Sequence, residues 1–68
     1  MAVATQVRLA NDIAAQFAHL PEDEAVARVA AHVRSFWTPA MRAQLVDGID
    51  DPALHPLARA AAMALSAA

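Results

Sequence analysis

Four prolines, Pro21, Pro39, Pro52 and Pro56, interrupt a chain that otherwise offers little to stop a helix. Proline has no amide hydrogen, and its ring clashes with the carbonyl four residues back, so it is accepted at the first turn of a helix or outside one. Between the prolines alanine dominates, with one glycine and no tyrosine. Alanine loses no side-chain entropy on entering a helix, and few residues here favour strands. The reading is an all-α fold, a small bundle of three to four short helices, in one helical domain over 1–68. The helices are expected at about 3–18, 22–37, 39–47 and 56–66.

Size sets the next limit. A domain of 68 residues buries only about 60% of the surface its unfolded chain exposes. Domains this small usually add disulfides, a metal or an oligomeric partner. The chain has no cysteine, which removes disulfides, thiolate zinc sites and cysteine-ligated iron–sulfur clusters together. Charged residues make up 18% of the chain, against about 25% in an ordinary soluble domain. A surface poor in charge favours burial against another protein, or a homo-oligomer when the chain is isolated.

Helical spacing assigns the faces. In the first segment Val3, Val7, Leu9, Ala10, Ile13, Ala14, Phe17 and Leu20 lie on one side, opposite Thr5, Arg8 and Asp12. That arc, which includes Gln6, is wider than the roughly 100° stripe a helix needs to sit on one core, so helix 1 is expected to touch two surfaces. Pro21 followed by Glu22, Asp23 and Glu24 starts helix 2, because the acids suit the positive end of the helix dipole. Val26, Val29, Ala30, Val33, Phe36 and Trp37 are read as its inner face, and Glu24 and Arg28 as an exposed i,i+4 pair. Thr38-Pro39 ends helix 2 and caps helix 3, whose apolar side is Met41 and Leu45. Gly48 suits a left-handed cap, with Ile49 packing back on the last turn, and Asp50-Asp51-Pro52 is a turn. Leu57, Ala61, Ala64 and Leu65 are read as the inner stripe of the last helix.

The chemistry on offer is thin. Ser35 and Ser66 lie in no catalytic motif, and there is no phosphate-binding glycine loop, so no catalytic residue is assigned. His19, His32 and His55 never fall at the i,i+4 spacing that pairs imidazoles on a helix, and no metal ligand is assigned. The formal net charge is −2 and the five basic residues are scattered arginines. Clustered phosphate-neutralising cations are therefore missing, against nucleic-acid binding. No apolar run is long enough to span a bilayer, and Met1-Ala2-Val3-Ala4 lacks the form of a signal peptide, which reads as cytoplasmic. The remaining feature is the stretch HVRSFWTPAMR, residues 32–42. Arg34, Trp37, Pro39, Met41 and Arg42 form its candidate partner interface, since Trp and Arg are enriched at interface hot spots. Within it Trp37 is read first as core, leaving Arg34, Met41 and Arg42 as the contact border.

Leu9-Ala10-Asn11-Asp12-Ile13-Ala14, Phe17 and then His32-Val33-Arg34-Ser35-Phe36-Trp37-Thr38-Pro39-Ala40-Met41-Arg42 resemble the delta subunit of soluble NAD-dependent formate dehydrogenases. The resemblance spans nearly the whole chain. It departs at Leu9, where methionine is common, and at Ala40, where arginine is common. It implies an accessory subunit of a cytoplasmic complex that oxidises formate to carbon dioxide. Molybdenum cofactor, iron–sulfur clusters, FMN and NAD would lie in other subunits and no cofactor in this chain. The implied partner is the molybdenum-containing catalytic subunit or its maturation chaperone, and the implied role is assembly, cofactor maturation or stability. From the residues alone, two other classes stay open. One is a free-standing helical regulator or DNA-binding dimer, hinted at by the short helix 3 after a tight turn. The other is an independent metal-dependent enzyme.

Overall fold

In the computed structural model, which describes residues 5–66, four helices follow one another: α1 (Thr5–Phe17), α2 (Glu22–Phe36), α3 (Pro39–Asp47) and α4 (Pro56–Ser66). No strand occurs among the described residues, and Val3 lies outside them. Three of the four prolines mark helix starts. Pro39 and Pro56 are the first residues of α3 and α4, where the missing amide costs nothing. Pro21 stands one place earlier, at the N-cap of α2 with ψ 148°, and its carbonyl accepts the first helical bond from Ala25 N–H at 2.8 Å. Glu22, Asp23 and Glu24 fill the first turn of α2, and Glu24 meets Arg28 at 3.7 Å across one turn.

The helix ends depart from expectation at two points. Trp37 lies outside α2, as its C-cap, with φ −91° and ψ 145°. Gly48 does not adopt the left-handed conformation; it caps α3 at φ −91° and ψ 15°. Its N–H donates to Gln44 O and Leu45 O, both at 3.1 Å, and Ile49 N–H donates to Val46 O at 3.2 Å. The last carbonyls are thus satisfied by tightening the final turn, one of the standard endings of a helix.

The core is built from narrow side chains. α1 buries Val7, Ala10, Ile13 and Ala14; α2 buries Ala25, Val29, Ala30 and Val33; α4 buries Ala58, Ala61 and Ala62. Leu45 comes from α3, and Trp37 and Leu54 from the segments between helices. Alanine supplies half of these buried positions, which lets helix axes approach to the close end of the usual range, about 8 Å. α2 packs on α4 and α1, α3 on α1 and α4, and α1 touches all three other helices. The wide apolar arc of α1 is thereby used on more than one side.

Three burial assignments change. Leu9 is exposed on the flank of α1, Phe36 is exposed at the end of α2, and Ala64 is exposed on α4 while Ala58 and Ala62 turn inward. For α4 the reason is contrast: among so many alanines, hydropathy scarcely distinguishes one face from the next, and packing against α2 decides the rotation.

Candidate docking surface

α2 passes into α3 within two residues. Trp37 N–H donates to Val33 O at 3.0 Å, and both Trp37 and Thr38 are extended, as the steric demand of Pro39 on its predecessor requires of Thr38. Thr38 Oγ1 accepts Met41 N–H at 3.2 Å and Thr38 O accepts Arg42 N–H at 3.0 Å, so the threonine caps α3 with side chain and backbone together. Arg42 reaches back to the preceding helix, where its Nη1 donates to Arg34 O at 3.2 Å. That places a cation over the negative end of α2 and occupies one of its last carbonyls.

At this corner the two aromatic neighbours part company. Trp37 is 8% exposed and belongs to the core cluster, whereas Phe36 is 75% exposed. The Phe36 ring leans on His32, one turn earlier, with ring centroids 4.8 Å apart and a tilt of 41°. Of the five residues read as a partner interface, Arg34 and Pro39 are exposed, Met41 and Arg42 are half-buried, and Trp37 is buried in the chain's own core. Arg34 and Arg42 are brought together by the hydrogen bond just described. The large apolar side chain at the surface is Phe36, which helical spacing had placed inward.

A second set of polar side chains fixes the segment between α3 and α4. Asn11, on α1, donates from Nδ2 to Ala53 O at 2.8 Å and accepts His55 N–H on Oδ1 at 2.7 Å. The partners determine which way the amide points, since only its oxygen can face an N–H. His55 Nδ1 accepts Leu57 N–H at 3.1 Å and His55 O accepts Arg59 N–H at 2.9 Å, so His55 caps α4. Arg59 spans the segment: Nε donates to Ile49 O at 2.9 Å, and Nη2 to Asp51 O at 2.9 Å and Leu54 O at 3.3 Å. Asp51 Oδ1 accepts Ala53 N–H at 2.9 Å, the local turn expected around Asp51-Pro52. Spacing gave no hint of the Asn11 and Arg59 contacts. The only signal was an asparagine inside a helix, a position it generally disfavours.

Among the described residues there is no pocket, no group of three His, Asp or Glu side chains placed to hold a metal, and no buried polar side chain. No described helix is long and apolar enough to cross a membrane. What fold and corner define is a small all-α protein whose polar chemistry lies at its surface and in the joints between helices. Comparison with known families places it further: the model of the NADH-dependent formate dehydrogenase delta subunit family, FdsD, matches residues 6–62. The chain belongs to that family, and family membership makes it a small subunit of a formate dehydrogenase complex. Searches of curated proteins and of solved structures returned no significant match.

Proposed function

We propose that this chain is a non-catalytic accessory subunit that docks on the molybdenum-containing catalytic subunit of a cytoplasmic formate dehydrogenase, or on that subunit's maturation chaperone. It supports assembly, cofactor maturation or stability of the complex. The carrying observation is the family match over residues 6–62. The small alanine-lined core gives a physical reason for a partner, because a domain of this size gains stability when a larger surface covers it. The chain holds no cofactor itself: with no cysteine it has no thiolate for an iron–sulfur cluster. Molybdenum, clusters, FMN and NAD belong to the other subunits in this reading. Docking uses the α2–α3 corner, where Arg34, Pro39, Met41 and Arg42 are wholly or partly exposed and Trp37 is buried in the core.

The test is to purify the formate dehydrogenase from cells expressing a tagged form of this chain, and again from cells lacking it. Co-elution at fixed stoichiometry, with loss of assembled complex or of its molybdenum content in the deletion, is the expected result. Recovery of the chain alone, with complex of unchanged yield and metal content in its absence, would sink the proposal.

A further inference from the structure

The four helices are not held equally. α1 and α2 each bury four residues and α4 buries three, but α3 buries one, Leu45. On α3 Pro39, Ala40, Ala43, Gln44 and Asp47 are exposed, and Met41, Arg42 and Val46 are half-buried. The described side-chain hydrogen bond from α3 to another helix is Arg42 Nη1 on Arg34 O, at an exposed site. The way into α4, by contrast, is locked through Asn11, His55 and Arg59. Buried apolar contacts and sheltered hydrogen bonds set how often a segment opens, and α3 has the fewest of both.

Both flanks of α3 are anchored independently of it. Trp37, just before, is buried in the core with its N–H on Val33 O at 3.0 Å. Ile49, just after, packs against the core, and its carbonyl accepts Arg59 Nε at 2.9 Å. Between these fixed points Thr38 and Gly48 frame the helix, and neither is buried. With nine residues, α3 falls short of the roughly 12–15 that a helix needs to be even marginally stable on its own. It stays helical only while Leu45 is seated, so lifting off and unwinding are one event.

We infer that α3 is a flap, which unwinds as a unit between Trp37 and Ile49 while α1, α2 and α4 stay folded. α3 packs on α1 and α4, and α2 packs on the same two helices, so opening leaves the contacts among the other three in place. It uncovers the part of the core on which Leu45 sits. Pro39, Met41 and Arg42 ride on the flap. A partner that engages them at the α2–α3 corner binds the closed form, and its apparent affinity falls with the fraction open. That consequence rests on the proposed docking; the flap itself does not.

Native-state hydrogen exchange of the full-length chain, followed amide by amide by NMR over a series of low urea concentrations, tests this. The amides of residues 42–48 are expected to share one opening, about tenfold or more frequent than the slowest opening in the other helices. That opening should be nearly independent of urea, since a local event exposes little surface. Val29→Ala removes core contacts of α2 and should speed the slowest amides of α1, α2 and α4 about tenfold or more, while residues 42–48 stay within about twofold. Should that variant fail to fold, the urea series on the unaltered chain still decides. Residues 42–48 exchanging with the rate and urea dependence of α2 overturn the flap. So does protection that rises residue by residue from one end, which is fraying. A chain with no protected amide in any helix overturns it too, because no scaffold remains for α3 to open from. None of these outcomes touches the accessory-subunit reading, which co-purification decides.

Discussion

Replacing Asn11 by alanine cuts the only side-chain link described between α1 and the segment that leads into α4. Two hydrogen bonds go at once, to Ala53 O at 2.8 Å and from His55 N–H at 2.7 Å, bridging residues 42 and 44 positions apart in sequence. A protein hydrogen bond contributes about 0.5–1.5 kcal/mol net, and a donor left buried without a partner costs about 1–3 kcal/mol. Ala53 O lies at an exposed site and can turn to water, but His55 N is part-buried. The expected loss is therefore about 2–3 kcal/mol. At about 0.05–0.15 kcal/mol per residue the whole domain is stable by about 3–10 kcal/mol, so a single amide carries a large share. At about 4–8 °C per kcal/mol for a domain of this size, the melting temperature should fall by about 8–24 °C. Thermal unfolding followed by far-UV circular dichroism measures this directly. Asn11→Asp keeps an acceptor for His55 N–H but sets a carboxylate oxygen against Ala53 O, so it too should melt below the unaltered chain. A drop of less than about 2 °C for Asn11→Ala would refute the two-bond reasoning.

Other substitutions separate core from surface and test the joints. Trp37→Ala should cost about 3–5 kcal/mol and leave much of the isolated chain unfolded, whereas Phe36→Ala should change its stability by no more than about 0.5 kcal/mol; paired denaturation curves decide this, and equal losses would contradict the division between the two rings. Gly48→Ala should stabilise by about 0.4–1 kcal/mol through the unfolded state, because φ is negative and an added Cβ would meet Val7 Cγ2 at an ordinary 3.5 Å; urea titration showing a loss would count against it. Arg59→Lys keeps the charge but not the planar fork that reaches three carbonyls, and should cost about 1–3 kcal/mol, with faster amide exchange over residues 48–55 as the local sign.

The joints explain how far the sequence can be read. Helix existence and most helix starts were legible because proline and N-cap chemistry act within three or four residues: Thr38-Pro39 sets both the extended backbone and the Met41 cap locally. The stripe Val7, Ala10, Ile13, Ala14 was legible because valine and isoleucine contrast with their polar neighbours. Contrast failed on α4, where alanine lies on every side, and Gly48 misled because two ways of closing a helix end suit the same residue.

Phe36 marks the limit most clearly. Its spacing from Val29 and Ala25 put it on the inward side of α2, and that side is where it lies; its exposure follows from how far the neighbouring helices extend, which no local pattern encodes. Asn11 and Arg59 are the same case for polar groups, since their partners lie 42 and 44, and 10, 8 and 5, residues away in sequence. By itself the sequence determined the all-α class, the proline-bounded helices, the absence of thiolate chemistry and a family signature. The tertiary structure alone decided which apolar residues stay uncovered and which polar ones lock the joints, because burial and long-range hydrogen bonding depend on where separate helices end in space.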